Sequence, residues 1–435
     1  MIVYYYSVVN KKIRDIWSLF SVISILYVAV FIFVYKPLDN RYSSFNSLPI
    51  LNSEKMFVGY TLISPYNRLL SDDSNWKGSV YLLDMFGSPV HTWSTNHQAL
   101  YSVLKNDGKL LSVMEIPKYS QFFPPGGNTG IIQERNWDSK VVWEYKNEAM
   151  HHDIAELPNG NFAVALWEKT PADIAQEIQG GVAGTELQGV VWSDEIVEID
   201  RQGKIVWSWH SYEHMDPQID ILGPLIPRYS WTHTNGIKHI AKNPIDGSEA
   251  YLISMRSIST VMIVRKSDGE IIWRSPKNML SLQHDPTLLT NGNILVFDNG
   301  LDRMPAPFSI YGSRVVEINP KTNTIVWQSD GGPGAIDKVK FFAAIVGGAQ
   351  RLDNGNTLIT DGTRGHVFEV TRDGKLVWDM LSPYTTKITG LFPNNFLFKT
   401  RRYAESEIKW PQKIAPAFNQ FTFSLHNALG KLYPW

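Results

Sequence analysis

The sequence predicts an all-β chain: a six-bladed β-propeller of four-stranded antiparallel blades, preceded by one N-terminal transmembrane helix. Three observations lead there. Six tryptophans end the same phrase, an apolar strand, a short turn and a second apolar run. Asn-Gly and Asp-Gly turns divide the residues between them into hairpins. An uncharged run of twenty residues, Ile16 to Tyr35, comes before all six copies.

The tryptophan phrase reads VYLLD–MFGSPVHTW to Trp93, GIIQER–NWDSKVVW to Trp143 and EIVEID–RQGKIVW to Trp207. It continues VMIVRK–SDGEIIW to Trp273, RVVEIN–PKTNTIVW to Trp327 and HVFEV–TRDGKLVW to Trp378. Successive tryptophans are 50, 64, 66, 54 and 51 residues apart. Self-similarity at such a period marks a repeated supersecondary unit. Six β-units that each need a neighbour close naturally into a propeller. The tryptophans themselves read as packing between blades.

Each later unit carries a second hairpin ahead of that phrase. HDIAELPNGNFAVALW spans 152–167, HDPTLLTNGNILVFDN spans 284–299 and GAQRLDNGNTLITDG spans 348–362. Asn-Gly between alternating apolar runs is a strong hairpin signal, because both residues tolerate positive φ. Unit two has the looser LYSVLKNDGKLLSV, and unit four a longer turn at Asn243–Gly247. Two hairpins make four antiparallel strands, one blade. Unit one shows a single hairpin plus the strand Val58–Ile63, so a late strand near Phe396–Lys399 is expected to complete it and close the ring.

The first strand of each blade lines the central channel. His152 and His284 each lie seven residues before the Asn of their turns, Asn159 and Asn291, and so stand at one height. His233 opens unit four in the same role. Hairpin symmetry returns Arg256, Asp298, Asn299 and Asp361 to the same mouth, with Asn299 opposite His284. Three readings of the histidines stay open on spacing alone: blade-capping hydrogen bonders, metal ligands, or a polar pocket in which a neutral imidazole acts as nucleophile. No short ligand spacing of a strong metal motif is present.

Composition narrows the functions. The 41 basic and 42 acidic residues nearly cancel, which leaves no basic field for nucleic acid. The chain has no cysteine, so disulfides, thiolate metal sites and cysteine nucleophiles are excluded. GGPGAI at 331–336 lacks the Lys-Ser/Thr ending of a phosphate-cradling loop, and no G-x-S-x-G elbow occurs.

At ~1.5 Å per helical residue, the run 16–35 spans a bilayer core of roughly 30 Å. Lys11, Lys12 and Arg14 before it place the N-terminus in the cytoplasm. The domain reading is a cytoplasmic tail (1–15), an uncleaved signal anchor (16–35), a polar tether (36–56), the propeller (57–405) and a C-terminal extension (406–435). It makes the protein single-pass, with the propeller in the periplasm or extracellular space. The insertion 169–191 is expected to hold a short helix. Tyr212, Tyr229, Trp231 and Phe308 are candidates to stack on an aryl ring, and Arg401 and Arg402 read as a solvated charge pair near ring closure.

The stretches HHDIAELPNGN at 151–161, WTHTNGI at 231–237, ISMRSISTVMIV at 253–264 and QHDPTLLTNGNILVFDNG at 283–300 resemble the bacterial arylsulfotransferase family that does not use the nucleotide sulfate donor. The resemblance covers about residues 56–405. It implies a six-bladed propeller that moves a sulfuryl group from an aryl sulfate donor to a phenolic acceptor through a sulfated histidine, without cofactor or metal. On matching motifs it makes His284 the nucleophile and His152 a histidine of the pocket. It makes His233 and Asn235 the pair that holds the sulfuryl oxygens, and Arg256 the arginine of the following strand. Asn299 joins the substrate-binding groups through its place opposite His284. Ser257 stands where the family often has histidine, and the cysteine pair of some members is missing.

Two other functions fit the fold. One is a calcium-dependent propeller hydrolase using Asp298, Asn299, Asp302 and Asp361 as oxygen ligands. The other is a non-catalytic, membrane-tethered binding module.

Overall fold

The computed structural model describes residues 50–52, 54–66, 77–116, 123–127, 129–303, 312–331, 341–384 and 396–411. The run 16–35, the tether up to residue 49, Phe308 and residues beyond 411 lie outside them. Among the described residues no helix is long and apolar enough to cross a membrane.

Six antiparallel sheets form the blades. Blade two runs Ala99–Leu104, Leu110–Glu115, Gly130–Arg135 and Val141–Lys146 from the channel outward. Blade three runs Met150–Glu156, Phe162–Lys169, Trp192–Ile199 and Ile205–His210. Blade four runs Thr234–Ile240, Ala250–Met255, Thr260–Arg265 and Ile271–Arg274. Blade five runs His284–Leu288, Ile294–Asp298, Arg314–Asn319 and Thr324–Ser329. Blade six runs Gly348–Arg351, Thr357–Asp361, His366–Val370 and Leu376–Leu381, and gains Ile50–Leu51 as a fifth, outermost strand. The end of the stretch read as a tether thus enters a sheet, and Met56 joins the core.

Ring closure is real but displaced from its expected place. The inner strand of blade one is Arg401–Tyr403, paired with Tyr60–Ile63, which continues to Gly78–Leu83 and Pro89–Thr95. Within the expected 396–399, Leu397 makes only an isolated bridge to Pro65. One strand from the C-terminal side and three from the N-terminal side therefore complete blade one.

Second strands such as Ala250–Met255 and Ile294–Asp298 are buried throughout, while the outer strands Val141–Lys146 and Thr324–Ser329 alternate. That matches sheets covered on both faces near the axis and half-solvated at the rim. Apolar side chains fill the gaps between blades: Leu252 and Ile263 of blade four share one cluster with Ile294, Val296 and Val316 of blade five. Fully burying one such side chain stabilises by roughly 1.5–3 kcal/mol.

The tryptophan series packs between blades, as its repetition implies, and hydrogen-bonds as well. Trp143, Trp207, Trp327 and Trp378 donate Nε1–H to the carbonyls of Arg201, Lys266, Arg372 and Met85, each in the next blade. Trp273 donates to the Asn323 side chain of blade five. Trp93 instead packs on Trp137, with ring centroids 5.0 Å apart.

The Asn-Gly turns differ in type from the expectation. Only the glycines take positive φ: Gly160 at 84°, Gly292 at 83° and Gly355 at 87°. Asn159, Asn291 and Asn354 keep negative φ and accept the backbone N–H two residues on. The result is a type I turn with a glycine bulge rather than two left-handed residues.

Candidate active site

Backbone bulges aim the histidines. Blade-three pairing jumps from Ile154↔Val164 to His151↔Ala165, so His152 and Asp153 form a bulge, with His152 at φ 55°. In blade five the pairing jumps from Thr287↔Leu295 to His284↔Phe297, which leaves Asp285 and Pro286 unpaired. In blade four Asn235 occupies the equivalent break, and His233 also has φ 55°. Bulges of this kind re-aim side chains next to functional sites. Each turns one residue toward the mouth and its neighbour into the channel.

His152 and His233 meet at 4.6 Å between ring centroids. Phe398 lies beside both His152 (6.4 Å) and His284 (6.3 Å). All three histidines are buried. His284 Nδ1 faces Asn299 Oδ1 at 2.7 Å. The Asn299 amide donates to the carbonyls of Ala343 and Val346 at 2.7 and 2.8 Å, so its oxygen must point at the imidazole. His284 therefore carries its proton on Nδ1, and Nε2 keeps a free lone pair.

Burial, then the Arg256 charge, lower the His284 pKa to about 3, against smaller opposing pulls from Asn299 and the Leu282 carbonyl. Burial also leads for His233 and His152. Arg256 is the next cause for His233, and the neighbouring imidazoles are for His152. The three rings are thus held neutral. An unfolded chain takes up a proton on His284 below about pH 6.5, whereas the folded chain does not, so this residue destabilises the fold as pH drops from there toward 3. Stability should fall less steeply between pH 6.5 and 5 in His284→Gln than in the wild type, by about 1.1 kcal/mol per pH unit. Denaturation midpoints at the two pH values check this; parallel slopes would contradict a neutral buried imidazole.

Arg256 follows the second strand of blade four, and its backbone N–H bonds the His233 carbonyl at 3.1 Å. Among the described residues its guanidinium makes no hydrogen bond, which leaves its fork available to an anion. Burial opposes its charge, and the Asp302 carboxyl is the anionic group that offsets it. Asn235 is less free than expected: its amide nitrogen donates to the Gln283 carbonyl at 2.8 Å, and its oxygen is buried without a partner. One N–H remains for a ligand.

Beneath the histidines an ionic plug fills the channel. Asp153 accepts Lys238 and Lys399, each at 2.8 Å, and the Tyr101 hydroxyl. Asp285 accepts Arg401 through both oxygens at 2.9 Å. Three cations against two carboxylates leave this floor positive, which favours an anion above it.

Several sequence expectations change here. Arg401 and Arg402 are not a solvated pair: Arg401 holds Asp285, and Arg402 is buried against Glu369 at 2.7 Å. The charge-rich dipeptide faces the channel on one side and the blade interior on the other. Trp231 is fully buried and donates to the Asp220 carbonyl, so it is packing. Of the aromatic candidates, Tyr229 is the one close enough to bear on Arg256. The calcium set does not converge. Asp298 accepts Ser281 N–H on one oxygen and Arg303 and Arg314 on the other, and Asn299 is committed to His284. Among the described residues the ligand atoms close enough to share a cation belong to Glu168, Glu195 and His210 instead.

Sequence reading missed three contributors. Gly127 (φ 58°) packs on His152, and a Cβ there would lie 2.1 Å from the ring. Trp167 stacks on His151 at 3.8 Å, and Asp194 sits behind them, fully buried. The double glycine at 126–127 was the one visible signal.

The family model for arylsulfotransferase (ASST) matches residues 114–382, which hold every site histidine together with Arg256, Asn235 and Asn299. The chain belongs to the arylsulfotransferase (ASST) family. Membership supports a sulfotransferase acting on small aryl sulfates and phenols. No curated protein sequence matches the chain. Among solved structures it is similar to a protein of unknown function from Bacteroides caccae (13% identity, 80% of this chain and 100% of that one, TM-score 0.46). It is also similar to the periplasmic gluconolactonase of Pseudomonas aeruginosa (12%, 80% and 99%, TM-score 0.43) and to virginiamycin B lyase of Staphylococcus aureus (10%, 76% and 86%, TM-score 0.37).

Two insertions, 169–191 and 211–230, interrupt the blades beside the site. The expected short helix is Ala172–Glu177. Gly180–Val182 pairs in parallel with Leu222–Pro227 of the second insertion. Gly223 N–H bonds the carbonyl of Ser257, beside Arg256. Asp302, its carboxyl pushed up to about 6 by burial, approaches Gly223 so closely that a Cβ there would meet its oxygen at 2.0 Å.

Proposed function

We propose that this protein transfers a sulfuryl group from an aryl sulfate to a phenol by a ping-pong reaction through a sulfohistidine on His284, with no nucleotide donor. The observation that carries the reading is the Asn299–His284 contact: a buried, neutral imidazole whose proton is held on Nδ1 and whose Nε2 is left unprotonated. In the first half-reaction Nε2 attacks sulfur and the sulfur–aryl oxygen bond breaks. Arg256, His233 and the remaining Asn235 N–H steady the oxygens of the transferring group, a role that is mostly positioning and charge stabilisation. In the second half the acceptor phenol oxygen attacks sulfur and frees His284. The donor's aryl oxide leaves as the phenoxide, and His152 takes the proton of the attacking acceptor and passes it to solvent.

Para-nitrophenyl sulfate without acceptor should release one equivalent of nitrophenol, and peptide mapping should find the sulfuryl mass increment on His284. An adduct on another residue, or none despite turnover, would overturn the reading. The anchor at 16–35, with the propeller on the outer side of the membrane, is part of the same proposal; it places the enzyme where exogenous phenols arrive.

A further inference from the structure

Behind His152 runs a buried line of titratable groups that the transfer reaction does not itself use. His151 Nδ1 faces His152 Nδ1 at 2.8 Å. His151 Nε2 lies 3.2 Å from Asp194 Oδ1, an ion-pair distance, and both atoms are buried without a completed hydrogen bond. The other Asp194 oxygen accepts Thr232 Oγ1 at 2.6 Å and the Thr234 backbone N–H and Oγ1, both at 2.7 Å. His151 and Asp194 are fully buried, and Trp167 stacks on the His151 ring with an interplanar angle of 15°. The nearest further charges are Arg256, which bears on both His152 and His233, and Glu168, which feels Asp194.

Burial opposes the Asp194 charge, but His151 and the two threonines hold its carboxyl below the ordinary range. As a carboxylate it can only accept, so it requires the His151 proton on Nε2. His151 Nδ1 is then an acceptor and requires the His152 proton on Nδ1. That leaves His152 Nε2 bare and basic. The same logic orients histidine ligands in metal sites and catalytic triads, where a carboxylate behind the ring fixes its tautomer.

The geometry points to Asp194 and His151 as positioning residues for proton transfer at His152, which deepens, and rests on, the sulfotransferase reading. When the acceptor phenol attacks sulfur, its proton moves to His152 Nε2. The imidazolium keeps its Nδ1–H bonded to His151, and the Asp194 charge two links away offsets its positive charge. The imidazolium then gives that proton to solvent, and the chain returns to its starting state. In the donor half-reaction Nε2 is bare, so the aryl oxide leaves as the phenoxide and takes its proton from solvent, and the two halves together conserve the proton count. Without the carboxylate, burial and Arg256 both oppose the imidazolium.

The test is the dependence on acceptor. Transfer from the sulfated enzyme is compared for para-nitrophenol, ionised at the assay pH, and unsubstituted phenol, in wild type, Asp194→Asn and His151→Phe. The ionised acceptor has no proton to lose, so the variants should lose less than about tenfold on it. Neutral phenol needs the base, and the loss there should be on the order of 10²–10³-fold, the usual worth of a positioned base. Equal losses on the two acceptors in folded variants would overturn the proposal. Ring-nitrogen NMR of the wild type decides it even if the variants fail to fold: the proton is expected on Nε2 of His151 and Nδ1 of His152, and the opposite pair of tautomers would overturn it. A wild type that transfers to neither acceptor sinks the sulfotransferase reading instead, while the NMR still judges the chain.

Discussion

His284→Ala abolishes transfer from aryl sulfates, with an expected loss of roughly 10⁴–10⁶-fold in single-turnover phenol release, the range seen when a covalent nucleophile is removed. The magnitude follows from what the substitution leaves behind. Arg256, His233 and His152 still bind and polarise a sulfate ester, but nothing within reach can attack sulfur. His152 is no substitute, because Gly127 packs on its ring and holds it where it meets His233 and takes the acceptor's proton. His233 has no Asn299 equivalent to direct its tautomer. His284→Gln should lose as much, since an amide is not a nucleophile. Binding is expected to outlast catalysis, so the variant should still take up an aryl sulfate with an affinity within about tenfold of the wild type. Turnover by His284→Ala within about a hundredfold of wild type would show that sulfur is transferred directly, without the enzyme as intermediate.

The repeat made the blades readable before any coordinates, because a propeller repeats its local chemistry. A tryptophan ends each outer strand, a glycine turns each hairpin, and both are visible one unit at a time. His152, His233 and His284 were readable for the same reason: they recur at one point of the unit, and the bulges that aim them recur too. What breaks the repeat was not readable. The inner strand of blade one is three residues long and has no hairpin turn to announce it, so its position was misjudged by a few residues. Asp194 lies on a third strand, and its partners come from Thr232 of the next loop, Thr234 at the start of blade four and His151 of the inner strand. No spacing rule connects those positions. The Arg401–Arg402 pair misleads for a physical reason. Two adjacent arginines usually mean solvent, since burying a guanidinium requires a paired carboxylate. Here Asp285 and Glu369 supply one each, from blades five and six.

The same ring closure predicts the largest stability effect. Arg402 donates to Glu369 at 2.7 Å and lies 4.0 Å over the Trp378 ring, both in blade six, while its Nε reaches Thr61 Oγ1 of blade one at 3.1 Å. It therefore joins the strand that finishes the ring to the blades on both sides. Burial lowers its pKa to about 10, so it stays charged at neutral pH, with Glu369 as its counter-ion. Arg402→Ala removes the cation and leaves the carboxylate with only Asn356 and the Phe57 N–H as donors. Breaking one partner of a buried pair costs about 3–5 kcal/mol, whereas replacing both with apolar groups of similar volume is often neutral. Arg402→Ala should thus shift the chemical-denaturation midpoint strongly downward. Arg402→Met combined with Glu369→Leu should recover most of the loss. Lys375→Ala, which breaks an exposed pair with Asp373, should leave the midpoint unmoved. A double variant as unstable as Arg402→Ala would mean that the guanidinium holds the ring by its stacking on Trp378 and its bond to Thr61, and that the charge pair adds little.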